Sequence, residues 1–183
     1  MRLIFIIAGV ILGYLWATSG NDVAVVGPAG ERVYPGYELS NSEPIEMTGR
    51  VLSRRDYRTG REAELSPTDF ALGWGPLLNR EISDQLQVSQ SNRWFRWQAQ
   101  TLPIPKSEIT RSAANVHLIP ASEAVRRALE SVNTGDVVAL RGQLVDVTAE
   151  DGWRWRSSRS RSDTGAGSCE LLLVEDVVLQ EQA

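Results

Sequence analysis

The chain has 183 residues with 19 basic and 23 acidic side chains, a formal net charge of −4. An acidic balance excludes bulk nucleic-acid binding, which needs a basic face toward phosphate. One cysteine, Cys169, excludes an internal disulfide, and with a single histidine, His117, any zinc site would depend on carboxylates.

Met1 and Arg2 give a short positive start, and Leu3 to Ala17 (LIFIIAGVILGYLWA) is an unbroken apolar run. As a helix, residues 3–19 would span roughly 26 Å, against a hydrocarbon core of about 30 Å. Tyr14 and Trp16 sit where an interfacial aromatic belt belongs. Residues 1–20 are therefore expected to be a signal anchor, a single-pass transmembrane helix in the cytoplasmic membrane with the body outside the cytoplasm. Ala17-Thr18-Ser19 offers the alternative of a cleaved signal and a secreted or periplasmic body. Without the first twenty residues the body carries 18 basic and 23 acidic groups.

Residues 21–44 are rich in Gly, Pro, Asn and Ser without periodicity, and are expected to form a tether. Residues 45–183 then form one domain. Ile45–Tyr57 reads as extended, and Ser66-Pro67-Thr68-Asp69 reads as a helix start, with Gly73–Pro76 ending that helix. A second short helix is expected near Leu77–Leu86. Gln87–Gln100 has the alternation of a hairpin, with Ser91-Asn92 at its turn. Pro103 and Pro105 interrupt the chain. Ser122 caps a helix whose Val125, Leu129 and Val132 share a face, and Gly135 stops it. Val137–Val147, Trp153–Ser157 and Glu170–Leu179 read as strands, with a bulge or bend expected at Gly142. The predicted class is α+β: a β-rich domain with short helices, built as a small curled sheet or a partly open OB-like barrel.

Three strings, Leu65–Pro76 (LSPTDFALGWGP), Ser112–Ala121 (SAANVHLIPA) and Asp163–Glu170 (DTGAGSCE), together resemble a family of uncharacterised bacterial membrane-anchored or exported proteins. The resemblance covers most of the chain past residue 45 and implies a cell-envelope location without an assigned activity. Val138–Gly142 and Asp163-Thr164-Gly165 resemble small exported OB-fold domains in their strand grammar.

An anchored chain with one His and one Cys also resembles sortases, where a thiolate, an imidazole and an arginine transfer an acyl group. Gly135-Asp136 follows His117 at a sortase-like place, but Cys169 follows Ala166-Gly167-Ser168, and no arginine lies between it and Ala183. Catalysis by Cys169 with His117 is thus the alternative to Cys169 as a small buried hydrophobe at a strand start. Asp163-Thr164-Gly165-Ala166 spells an aspartic-protease string, yet it follows the polar Arg159-Ser160-Arg161-Ser162, so a Gly-rich loop accounts for it. No acidic loop has calcium spacing and no phosphate loop opens a helix, so neither metal nor cofactor is expected.

Two arginine clusters remain: Arg50, Arg54, Arg55, Arg58 and Arg61, and then Arg154, Arg156, Arg159 and Arg161 beside Trp153 and Trp155. Along an extended Trp153–Arg156 the tryptophans take one face and the arginines the other. The second cluster is the expected binding surface, for anionic lipid, acidic glycan or an acidic envelope protein. Solvated arginines on a half-buried strand are the competing account. The expected activity is non-enzymatic binding or scaffolding at the envelope.

Overall fold

A computed structural model describes residues 25–26, 32–160 and 169–180 of the chain. The apolar run of residues 1–20, Arg161 and the Asp163–Ala166 string lie outside the described residues. Among those described, no helix is long and apolar enough to cross a membrane.

Two short strands, β1 (Val25–Val26) and β2 (Arg32–Tyr34), lead into β3 (Tyr37–Asp56), a strand of 20 residues. Tyr37–Pro44, which composition marks as tether, is strand, because β3 pairs there with β8 (Val137–Ala149). Further along, β3 pairs with β4 (Thr68–Gly73), which pairs with β7 (Ala113–Pro120). Next comes β10 (Glu170–Gln180), parallel to β7 and antiparallel to β8. Since β8 also pairs with β3, the sheet curls round on itself through β3, β4, β7, β10 and β8. The domain is α+β and sheet-rich. Closing the curl satisfies backbone groups that an open edge would leave to solvent.

Side chains pointing into the curl are apolar: Met47 and Val51 from β3, Phe70 and Leu72 from β4, Val116 and Leu118 from β7, Leu172 and Val174 from β10. Helix α4 (Glu123–Ser131) adds Val125 and Leu129, with Val132 just beyond its end, as its spacing requires. Ser122 caps it by accepting the Val125 N–H at 3.2 Å. Burying a side chain of this kind contributes roughly 1.5–3 kcal/mol.

Ser66–Asp69 does not start a helix. The short α1 (Arg61–Leu65) ends there, with Ser66 at its C-cap, and Thr68 begins β4. Local Ser-Pro-x-Asp chemistry loses because a strand sends Phe70 and Leu72 inward while Asp69 finds partners on the opposite side. The second short helix is realised as a 3-10 turn at Gly75–Leu78 followed by α2 (Arg80–Ser83). Nothing in the sequence reading marks α3 (Lys106–Arg111) or β7. The latter is buried on both faces and so lacks the alternation that reveals a strand.

The hairpin forms as β5 (Gln87–Ser91) and β6 (Trp94–Gln98), with Phe95 and Trp97 turned inward and Trp94 and Arg96 outward. Its turn is Asn92-Arg93, one residue later than expected, with φ of 51° and 67° at the two central residues. Both positive values fit the twist of a two-residue hairpin. Gly142 does not bulge its own strand. The register shift lies opposite, in β10 between Val174 and Asp176, and a Cβ at Gly142 would fall 1.9 Å from the Leu173 carbonyl oxygen. Last, β9 (Arg154–Trp155) pairs with Val147 and Thr148 of β8.

Candidate functional site: a cavity on the outer face of the sheet

Alternate residues of β4 and β7 face away from the apolar interior, and there the composition changes. Asp69 and His117 are cross-strand partners, with Asn115 two positions back on the same face. Leu171 of β10 opposes His117, which sets Cys169 diagonally across from the imidazole on that face.

Asp69 is fully buried, a costly place for a carboxylate without partners. Its main partner reaches in from the hairpin tip: Arg93 Nη1 donates to Asp69 Oδ1 at 2.8 Å and to the Ser66 carbonyl at 2.9 Å. The positive φ at Arg93 belongs to the turn that turns this side chain back toward the sheet. Its guanidinium lies 3.7 Å from the centroid of Tyr57, a cation–π contact. Asn115 Nδ2 donates to Asp69 Oδ2 at 3.3 Å and to the Arg93 carbonyl at 3.1 Å, while Gln90 Nε2 donates to Asn115 Oδ1 at 2.7 Å. This network fastens the hairpin to the outer face.

His117 is 3% exposed. Its Nδ1 lies 3.0 Å from Asp69 Oδ1, off the line of a well-formed hydrogen bond. Its ring packs at 4.8 Å against Trp155, tilted by 48°. The ring makes no hydrogen bond among the described residues and lines the adjoining cavity.

That cavity has a volume of about 540 Å³. His117 and Cys169 line it from the sheet, Asn92, Arg93 and Trp94 from the hairpin tip, and Glu62 from α1. Arg154, Trp155 and Arg156 complete the wall. Cys169, expected as a small buried hydrophobe at a strand start, is half-buried just before β10, and its Sγ–H donates to the Arg93 carbonyl oxygen at 3.8 Å.

Trp153 and Trp155 are half-buried while Arg154 and Arg156 are exposed, the alternation that an extended segment dictates. Neither Arg154 nor Arg156 makes an ion pair among the described residues. Arg159 is held differently. It pairs with Asp146 at 2.9 Å and Glu43 at 3.6 Å, and donates to the Asn41 carbonyl at 2.6 Å. Burial alone would raise the Asp146 carboxyl. Hydrogen bonds from Asn41, Arg159 and the Ser157 N–H outweigh it and hold that group below its ordinary value.

The first arginine cluster is largely structural. Buried Arg50 donates to the carbonyls of Leu78 and Gly135, and Arg54 caps α4 through the carbonyls of Leu129, Glu130 and Val132. Arg61 pairs with Asp151 and lies over Trp153. No group of three metal-ligating side chains occurs among the described residues.

Sequence reasoning singled out His117, Cys169, Arg154 and Arg156, and the fold brings these four to one cavity. It missed Asp69, Arg93 and Trp94. Asp69 was hidden in a false helix start, and Arg93 beside Asn92 carried a turn signal that placed it one residue away from the bend. No protein-family model, curated protein or solved structure matches the chain.

Proposed function

We propose that the chain is a membrane-anchored, extracytoplasmic binding domain that takes an anionic envelope component into the cavity beside β9. The observation that carries this reading is the pairing of Arg154 and Arg156, exposed and without an acid partner among the described residues, with aromatic walls from Trp155 and the exposed Trp94. Guanidinium forks suit carboxylate and phosphate, and aromatic faces suit the apolar side of a sugar or acyl glycerol.

The fold supports the same reading. Taken in chain order, strands β3, β4, β7, β8 and β10 curl in the order 1-2-3-5-4, with the fourth returning to the first. The helix α4 lies between the third and fourth strands. We read this arrangement as an OB-like barrel. OB folds bind oligosaccharides and oligonucleotides with the loops joining strands 1 to 2 and 4 to 5. Here the first of those loops supplies Glu62 and the second supplies Arg154, Trp155 and Arg156. The acidic body and Glu62 argue for a short anionic ligand rather than a polyphosphate chain.

The test uses the full chain in detergent, with digalacturonate for acidic-glycan chemistry and sn-glycerol 1-phosphate for headgroup chemistry. Saturable quenching of tryptophan fluorescence by either probe, weakening as salt rises, is expected. No quenching by either defeats the binding reading. Location is tested separately: a reporter fused after residue 183 should lie outside the cytoplasm, and membranes should retain the chain at high salt. A cytoplasmic reporter defeats that part.

A further inference from the structure

A solvent-reachable thiol and a buried imidazole share this cavity, and binding of an anion gives no reason for either. His117 is 3% exposed, keeps Nδ1 against Asp69, which leaves Nε2 as its other ring nitrogen, and lines the same cavity as Cys169. A carboxylate behind an imidazole, with a thiol on the same cavity wall, is an arrangement for moving the thiol proton, since the carboxylate fixes the ring in place. Arg154 and Arg156 on the same wall favour negative charge there, whether thiolate or incoming ligand.

We propose that Cys169 is a modification site that exchanges with small anionic disulfides, forming a mixed disulfide that occupies the cavity. The inference rests on the reading above that the cavity takes an anion. In the step, the Cys169 thiol passes its proton to His117 Nε2, and the thiolate attacks one sulfur of the disulfide. A bond forms between Sγ and that sulfur as the original sulfur–sulfur bond breaks, and the leaving thiolate takes the proton back from His117. One thiol and one disulfide give one mixed disulfide and one thiol, with no net oxidation. Exchange asks for a thiol that the reagent can reach, and Cys169 lines the cavity beside Arg154 and Arg156. The single cysteine leaves no second thiol in the chain to resolve the adduct, so it persists until an external thiol removes it. While it persists, the cavity is closed to other anions.

The test compares the dianionic aromatic disulfide DTNB with neutral 4,4′-dithiodipyridine on the folded, reduced full chain in detergent. Each rate is divided by that of the same chain unfolded in urea. The native chain should favour DTNB over the neutral reagent. Arg154→Gln with Arg156→Gln should slow DTNB by about tenfold, the scale of electrostatic focusing in a cleft, and leave the neutral reagent unchanged. His117→Asn, which removes the group placed to take the thiol proton, should slow both reagents. Modification by oxidised glutathione, followed by mass spectrometry, should abolish digalacturonate quenching, and reduction should restore it. A thiol that reacts only after unfolding, or reacts without regard to reagent charge, overturns the proposal. Digalacturonate quenching in the unmodified chain reports the anion reading independently, so the two failures are told apart. Should His117→Asn unfold the chain, the charge comparison in the arginine variant still decides.

Discussion

The two faces of β4 and β7 are built from alternate residues of the same strands and follow opposite rules. Inward, Phe70, Leu72, Val116 and Leu118 are fully buried among other apolar side chains. Outward, Asp69, Asn115 and His117 are nearly as buried, yet each is polar. The inner face excludes water. The outer face excludes it by pairing the Asp69 carboxylate, drawing Arg93 and Gln90 from a hairpin whose Val88, Phe95 and Trp97 also pack against Leu77, Leu86 and Ile109. An apolar outer face would stabilise the fold as well, since buried ion pairs seldom outperform apolar packing. Keeping a buried carboxylate behind a histidine at the edge of a cavity is better explained by what the cavity does.

The comparison breaks most visibly from inside. Phe70→Ala should cost about 4 kcal/mol by transfer loss and cavity formation. Its urea midpoint should fall, while digalacturonate quenching in the residual folded population stays unchanged. A loss below about 1 kcal/mol would mean that the interior is not packed as described.

On the outer face, Asp69→Ala should cost about 3 kcal/mol, because it leaves the Arg93 guanidinium partly buried without its carboxylate. Amide exchange should then accelerate in Gln87–Gln98 before any other strand. A double-mutant cycle with Arg93→Ala isolates the coupling; additive losses would contradict the clasp.

Smaller effects sharpen the contrast. Ser122→Ala should cost about 1 kcal/mol, the usual worth of an N-cap, since only the Val125 N–H loses its acceptor. Acid should act on Asp146. Its folded value is lowered, so its contribution is fully present above the unfolded carboxylate value near about 3.9 and disappears as pH falls through the lower folded value. Asp146→Asn should therefore flatten the stability profile below about pH 4 and leave its shape near neutrality unchanged. An unchanged acid limb in the variant would remove Asp146 from the account.

Periodicity made the inner face legible where elements are half-exposed. The α4 stripe of Val125, Leu129 and Val132, the alternation through Trp94–Trp97 and the strand β8 follow from spacing, while β10 shows as an apolar run. It failed for β4 and β7. Burial on both faces removed alternation there, and Ser66-Pro67-Thr68-Asp69 supplied a local helix signal that tertiary packing overrode. The cavity was half legible for a related reason. His117 and Cys169 draw notice as single occurrences and Arg154 and Arg156 by clustering. Asp69 and Arg93 matter only because strand register and a left-handed turn bring them together, and neither is written in spacing along the chain.

The most direct test of the claim that the outer face serves ligand binding separates binding from stability at Arg154 and Arg156. Digalacturonate should be titrated against the full chain and against the Arg154→Gln, Arg156→Gln double variant, followed by tryptophan fluorescence. Both side chains are exposed and make no ion pair among the described residues, so the variant's urea midpoint should stay within about 0.5 kcal/mol of the parent. The account expects saturable quenching in the parent and none in the equally stable variant. Superimposable titration curves would contradict it.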